Sequence, residues 1–158
     1  MEHATSGEEA PTVVSAINVL VDRNLHGGGL SALMLGEMRR LAATAGFTDL
    51  VAPVRPSLKS IYPLTSMERY TGWATPAGLP FDPWLRVHAR AGARIVRVCP
   101  SSMRIPGTVA NWEEWTGMRF PESGTYVVPG ALEPIVIDVE SDRGTYVEPN
   151  VWMHHPIG

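Results

Sequence analysis

The segment Asn24-Leu25-His26-Gly27-Gly28-Gly29-Leu30-Ser31 is a glycine-rich turn between two stretches of different character. The run from Val13 to Val21 before it is apolar and rich in β-branched residues, which predicts a strand buried inside a sheet. From Leu30 to Ala45, apolar residues recur at three- and four-residue steps, which predicts an amphipathic helix. Glycines let a backbone approach a ligand closely, and the free N–H groups at a helix start favour negative charge. We therefore expect the turn to hold an anion such as a phosphate group.

The segments that follow predict a βαβ unit. Gly46 is placed to end the helix as a C-terminal cap, and Thr48 to Val54 reads as a second strand. Because strand, helix and strand follow one another so closely, the two strands should be parallel. After a proline-rich excursion, we expect a helix from Asp82 to Ala91 and a third strand from Ala93 to Cys99. Short strands are predicted at Thr125 to Val128, Ile135 to Val139 and Thr145 to Val147.

Length and composition limit the class of protein. The 158 residues suit one domain, residues 11–158, preceded by a flexible polar tail at residues 1–10. The formal net charge of −3 argues against a nucleic-acid binder, and no apolar run approaches the ~20 residues needed to span a bilayer. The single cysteine, Cys99, excludes an internal disulfide, so we expect a cytoplasmic protein. The five histidines show no metal-ligand spacing, and no metal is expected.

Two common phosphate-binding motifs do not fit the glycine turn. A Walker-type P-loop needs a lysine after its second glycine, but Leu30-Ser31 follows the glycines here. A dinucleotide-binding fingerprint needs a third glycine three residues further on and an acidic residue at the end of the next strand. Residue 32 is alanine instead, and that strand ends in Ala52-Pro53-Val54. The turn therefore belongs to neither class.

The turn and its surroundings resemble the GNAT acyltransferases. The family's pyrophosphate turn is a Gln or Arg, two free positions, a Gly, one free position and a Gly or Ala; Asn24 to Gly29 match it with Asn24 in the leading position. Leu85 to Ala93 resembles the family's last helix, running into its glycine and the next strand. The resemblance covers Val13 to Cys99, so we expect a coenzyme A-binding core at residues 11–99 and a C-terminal extension at residues 100–158.

The resemblance implies an α/β (α+β) fold, a GNAT-like mixed sheet that splays open beside the glycine turn and carries a β-rich C-terminal extension. Acetyl-coenzyme A or another acyl-coenzyme A would lie in the split as co-substrate. Its pantetheine arm would pair with the backbone of Val19, Leu20 and Val21. The remaining implied coenzyme contacts are Asn24, His26, Gly27, Gly28, Gly29, Leu30, Ser31 and Ser57.

The resemblance also implies a general acid in the last helix. In the family an acceptor amine attacks the thioester, and a tyrosine four residues before the closing glycine typically protonates the departing thiolate. Counting back from Gly92 gives His88. An imidazolium can donate a proton, since its unperturbed pKa is about 6.5. The alternative is a half-buried structural histidine.

The start of the chain departs from the family. Only 12 residues precede Val13, whereas complete members have further strands and two helices there that build most of the acceptor pocket. We therefore expect an N-terminally truncated domain whose bare sheet edge is covered by a second copy, as in a homo-oligomer, or by another chain. The implied function is an acyl-coenzyme A-dependent N-acyltransferase that acts on a small-molecule amine. The alternative is a degenerate or repurposed half-fold that serves as a binding or assembly subunit or catalyses a non-transfer reaction.

Two groups of side chains and one carboxylate have further interpretations. The basic group, which could contact a coenzyme 3′-phosphate, comprises Arg39, Arg40, Arg55 and Lys59. A solvated helix face explains Arg39 and Arg40 equally well. The aromatic group would either line an acyl or acceptor pocket or fill the core, and comprises Tyr62, Tyr70, Trp73 and Trp84. Glu148 is a candidate base if the C-terminal residues fold over the split.

Overall fold

One mixed sheet carries the six strands found in residues 11–17 and 29–157, the part of the chain that the computed structural model describes. The strands are β1 (Val13–Ser15), β2 (Asp49–Val54), β3 (Arg94–Gly107), β4 (Gly124–Tyr126), β5 (Ile135–Asp138) and β6 (Arg143–Pro156). The helices are α1 (Leu30–Thr44), α2 (Met67–Thr71), α3 (Pro83–Arg90) and α4 (Val109–Thr116), with a short 3₁₀ helix at Lys59–Ile61. The predicted coenzyme contacts Val19, Leu20, Val21, Asn24, His26, Gly27 and Gly28 lie outside these residues.

Strand β6 is the centre of the sheet. Its second half pairs antiparallel with β2 and its start pairs antiparallel with β5, while β3 runs antiparallel along its other edge. β1 pairs parallel with β2, as the predicted βαβ unit requires. The predicted mixed sheet is therefore confirmed, and the C-terminal strand lies between the two strands of the expected coenzyme-binding core.

The buried positions of β6 change parity along the strand. Even-numbered residues are buried from Gly144 to Glu148, and odd-numbered residues are buried from Val151 to His155. Because alternate residues of a strand point to opposite faces, the sheet has one core on each face. The α3-side core contains Ala52, Val54, Met67, Tyr70, Leu85, Leu132, Val151 and Met153. The α4-side core contains Trp112, Phe120, Val128, Ala131, Ile135, Ile137 and Tyr146.

The ends of α1 and α3 follow capping signals in the sequence. α3 begins after Asp82, whose carboxylate accepts hydrogen bonds from two N–H groups of the first turn, and Pro83 takes the first helical position. α1 closes at Gly46, which adopts a φ of +86°. The Phe47 N–H then donates back to a carbonyl of the last turn. Both helices therefore lie within a residue of their predicted bounds.

The strands differ in length from their predictions. Within the described part, β1 ends at Ser15, although the apolar run predicted a strand as far as Val21. β3 continues past residue 99, and the final strand is 14 residues long rather than the three that were predicted. Pro149 explains the second difference, because β3 bulges opposite it and no ladder bond from its missing N–H is needed.

Candidate functional site

The parallel pairing of β1 with β2 is described as far as Ser15 and Val51. Its last described ladder bond runs from the Ala16 N–H to the Val51 carbonyl at 2.8 Å. Beyond Val51, β2 continues to Val54 as a partner of β6, and no described residue pairs with the outer edge of that stretch. The next residue of β2 whose backbone faces β1 is Pro53, and its missing N–H cannot continue the ladder. This break is compatible with the split that the GNAT resemblance implies, and the split itself stays a prediction.

Helix α1 begins directly after the glycines and presents free N–H groups. Gly29 is its N-terminal cap, with a φ of +75° that glycine adopts at little cost. None of the described side chains caps this end, and the first turn holds no acidic residue. The N–H groups of Leu30 and Ser31 have no acceptor within the helix, and the helix dipole favours an anion there. This geometry is compatible with the phosphate contacts expected of Gly29, Leu30 and Ser31.

Ser57 is exposed in the loop after β2, and its hydroxyl donates to the Asp82 carboxylate at 3.3 Å. Asp82 is 1% exposed and also accepts hydrogen bonds from the Leu58 N–H and the Tyr70 hydroxyl, each at 2.8 Å. Ser57 therefore belongs to a loop that is fastened to the start of α3. Its contact with a coenzyme stays a prediction.

His88 is a buried residue in the last turn of α3. Its Nδ1 shares a 2.9 Å hydrogen bond with Nε2 of His155, and the two outer ring nitrogens have no partner among the described residues. Burial, together with the neighbouring His155, lowers the pKa of His88 to about 4, so the ring is neutral at pH 7. His155 is the register partner of Leu50, upstream of the last described ladder bond between β1 and β2. The geometry favours the structural interpretation of His88, and its role as an acid stays a prediction.

Lys59 is fully buried and cannot contact a coenzyme 3′-phosphate. Its ammonium donates to the carbonyls of Tyr62 and Leu132, at 3.1 and 2.5 Å, and burial lowers its pKa. Arg39 is also engaged within the fold. Its guanidinium donates to the carbonyl of Ala91, which follows α3, at 2.7 Å and to the carbonyl of Pro156, the last residue of β6, at 3.0 Å. Arg40 is exposed and paired with Glu37 on the same helix. The phosphate interpretation of Lys59 is therefore wrong, since the side chain holds loops together.

The aromatic residues fill the α3-side core. Tyr62, Tyr70 and Trp73 cluster with Phe81, and their ring centroids lie between 5.0 and 6.1 Å apart, mostly in edge-to-face geometry. Trp84 packs edge-on against His88. These contacts bear out the core-filling interpretation.

A polar network joins the end of β2 to β6 and was not foreseen. Glu148, which is 5% exposed, accepts hydrogen bonds from Arg55 Nε and the Tyr146 hydroxyl, each at 3.0 Å. The Tyr146 hydroxyl accepts the Leu132 N–H at 2.9 Å, and Arg55 Nη2 donates to the Gly130 carbonyl at 2.7 Å. Burial raises the pKa of Tyr146 to about 12, so its hydroxyl keeps its proton at neutral pH. The network fixes the Arg55 guanidinium against the loop that contains Gly130.

A cavity of about 360 Å³ lies beside Arg55, beneath α4. Its walls are mainly aromatic and aliphatic and include Ile105, Trp112, Trp115, Val128, Ala131 and Tyr146. Trp112 lies against Gly144, and a Cβ on Gly144 would overlap its ring. Trp115 lies against Gly107, the register partner of Gly144, where a Cβ would come within 2.9 Å of its ring. The two glycines therefore make room for the two indoles. We name this space the α4 cavity.

No group of three or more His, Cys, Asp or Glu side chains suited to a metal ion occurs in the part of the chain described here. Among those same residues, no helix is long and apolar enough to cross a membrane.

No family model matches the chain. In a search of solved structures, the chain is similar to the crystal structure of the loading GNATL domain of CurA from Lyngbya majuscula, with a TM-score of 0.59 and 21% identity over 92% of this chain and 55% of that one. The chain has the GNAT fold. The expected resemblance to the GNAT superfamily and its mixed sheet is confirmed.

A curated relative of this GNAT-fold chain is arginine N-acetyltransferase avaD of Aspergillus versicolor. It is 36% identical over 168 residues, which cover 95% of the chain and 58% of the relative. The chain thus spans little more than half the length of each of these two proteins.

Proposed function

We propose that this chain binds an acyl-coenzyme A and takes part in transferring its acyl group to a small-molecule amine. Two observations support the proposal: Pro53 breaks the parallel ladder between β1 and β2, and the N–H groups of Leu30 and Ser31 have no acceptor within α1. Acetyl-coenzyme A, or another acyl-coenzyme A, would supply the activated acyl thioester. The similarity to an arginine N-acetyltransferase supports transfer to nitrogen and an acceptor that is a small molecule.

The residues around the split fit such a coenzyme. The outer edge of β2 after Val51 has no strand on it among the described residues. The Pro53 carbonyl accepts one long hydrogen bond, from Asn150 Nδ2 at 3.5 Å, and its second lone pair would be available to an extended amide arm. At the other end, Leu30 and Ser31 would donate their backbone N–H groups to a pyrophosphate. The positive φ of Gly29 sets the conformation of the first turn of α1, and would therefore orient these N–H groups toward the pyrophosphate.

The alternative function, a repurposed half-fold that binds but does not transfer, is favoured by one observation. His88 occupies the position of the family's acid, yet it is buried and neutral at pH 7. A neutral imidazole is a poor proton donor to a thiolate, because it would have to become an anion. Transfer would then depend on another acid or on proton transfer from water.

Thermal-shift titration with coenzyme A, acetyl-coenzyme A and ATP tests the binding proposal. A ligand that binds only the native state stabilises it by RT ln(1 + [L]/Kd), so both coenzymes should raise the melting temperature while ATP has a smaller effect. No shift with either coenzyme at millimolar concentration would overturn the proposal. Release of free thiol from acetyl-coenzyme A in the presence of amines then separates transfer from the binding-only alternative.

We also propose that a second copy or a partner chain covers the exposed edge and face at β1. Val13 and Ile17 are 48% and 81% exposed there, and an edge strand with exposed apolar side chains favours pairing. A molar mass measured in solution that corresponds to a strict monomer would count against pairing between copies.

A further inference from the structure

The geometry points to the α4 cavity as the acceptor site, and we propose that it takes a small carboxylate with an apolar body, such as an amino acid with an apolar side chain. This inference rests on the proposed acyltransferase function and names the substrate class for it. Neither comparison assigns a ligand to this cavity.

The cavity adjoins the end of β2. Arg55 directly follows Val54, the last residue of β2, and its side chain forms one wall of the cavity. The outer edge of β2 after Val51, on which no described strand lies, ends at Val54 and so leads directly to Arg55 and the cavity. In an α-amino acid the amine and the carboxylate are bonded to the same carbon. A carboxylate paired with Arg55 would therefore hold the amine beside the end of this edge, with the apolar side chain in the cavity.

The walls of the cavity suit a flat or branched apolar group. Trp112 and Trp115 stand edge-to-face with ring centroids 5.2 Å apart, and Tyr146 forms part of the opposite wall. Its volume of about 360 Å³ lies near the lower end of the range for small-molecule sites. Trp115 is 55% exposed, so part of its ring is accessible to a ligand in the cavity.

The charge of the cavity favours an anion. Arg55 is the one charged residue among those that line it, and its side chain is 45% exposed. Glu148 holds the guanidinium from behind but does not line the cavity, so a ligand would meet the cation rather than the carboxylate. A guanidinium has five N–H groups, and the bonds to Glu148 and Gly130 use two of them. The orientation of Arg55 is fixed before a ligand arrives, which lowers the entropic cost of pairing with a carboxylate.

Isothermal titration of the full chain with three probes that share one phenylpropyl carbon skeleton tests the ligand class. The probes are 3-phenylpropanoate, 3-phenylpropanamide and 3-phenylpropan-1-amine. The carboxylate should bind at least tenfold more tightly than the amine, with the amide between them. Equal affinity for all three would overturn the assignment of a carboxylate.

Variants locate the binding. Trp115→Ala should weaken the carboxylate at least fivefold, whereas Val136→Ala, which removes a comparably exposed apolar side chain on β5, should leave it unchanged. Arg55→Gln should remove the preference for the carboxylate over the amide. Since Arg55 also offsets the charge of Glu148, Arg55→Lys serves as a second variant that keeps the charge and should retain part of the preference. Unchanged binding in Trp115→Ala would overturn the location.

Turnover separates this inference from the proposed function. With acetyl-coenzyme A, transfer to phenylalanine should exceed transfer to 2-phenylethylamine, which lacks the carboxylate, and Arg55→Lys should raise KM for phenylalanine more than it lowers kcat. A coenzyme shift without binding of 3-phenylpropanoate would overturn the cavity's role and leave the proposed function standing. Binding of 3-phenylpropanoate without a coenzyme shift would overturn the acceptor role together with the proposed function.

Discussion

The buried pair His88 and His155 should make the fold sensitive to mild acid. Burial lowers the pKa of each ring to about 4, against about 6.5 in an unfolded chain. Above pH 6.5 both imidazole rings are neutral in the native and in the unfolded chain, so the pair makes its full contribution to the free energy of unfolding. Between pH 6.5 and pH 4 the unfolded chain binds protons that the native state does not, so the free energy of unfolding falls as the pH falls.

The magnitude follows from these values. For one ring, the difference in proton binding between pH 7.5 and pH 5 lowers the free energy of unfolding by about 2 kcal/mol, and the pair can lose at most about twice that. For a chain of this size, 2 kcal/mol corresponds to about 4–8 °C in melting temperature. Carboxylates titrate mainly below pH 5, so measurements from pH 7.5 to pH 5 isolate the imidazoles.

Urea unfolding across this pH range, on the wild-type chain and on His88→Asn/His155→Gln, tests the prediction. The amide groups of Asn and Gln can occupy the positions of the Nδ1 and Nε2 atoms that share the 2.9 Å bond, without titrating. The double variant should therefore lose most of the slope between pH 7.5 and pH 5. If it keeps the wild-type slope, the pair is not the source of the acid sensitivity and the reasoning is refuted.

Three substitutions test packing and capping, each by urea unfolding. Asp82→Ala should cost about 3 kcal/mol, because this buried carboxylate caps α3 and accepts three further hydrogen bonds; a loss under 1 kcal/mol would contradict it. Gly144→Ala should cost about 1–3 kcal/mol, since the new Cβ would overlap the Trp112 ring, whereas Gly36→Ala, where a Cβ meets open space within α1, should be neutral or stabilising. Equal changes in the free energy of unfolding for Gly144→Ala and Gly36→Ala would argue against the close contact of Trp112 with Gly144. Thr108→Ala should cost about 1 kcal/mol through loss of the capping box of α4, and an unchanged midpoint would show that the box contributes nothing.

Local signals in the sequence were sufficient for the parallel part of the fold. The apolar period from Leu30, the capping positions Asp82 and Gly46, and the βαβ order each depend on residues close together in the chain. The structure follows these predictions to within a residue or two. The glycine turn itself lies largely outside the described residues, and of its predicted contacts the structure describes Gly29, Leu30 and Ser31.

Pairings between distant segments were not predictable in the same way. Arg55 and Glu148 are separated by 93 residues, and their contact depends on β6 lying beside β2. The predicted strand Thr145 to Val147 is part of β6 (Arg143–Pro156), and Pro149 is accommodated within β6 by the bulge of β3 opposite it. The α4 cavity depends on the same register, because Gly144 must lie opposite Gly107 to admit Trp112. Contacts between such distant segments leave no periodic pattern of apolar residues from which a single sequence could predict them.

Titration of coenzyme A into the wild-type chain, Gly29→Ala and Gly78→Ala tests whether the start of α1 holds the phosphate groups of the coenzyme. Both glycines adopt a φ of +75°, and a Cβ at either would meet no atom within 4 Å, so the two variants should carry the same backbone strain of about 1–2 kcal/mol. We predict that the wild-type chain binds coenzyme A and that Gly78→Ala binds it as tightly. Gly29→Ala should weaken binding at least fivefold, because the substitution turns the N–H groups of Leu30 and Ser31. No binding by the wild-type chain at millimolar coenzyme A, or equal losses in the two variants, would contradict it.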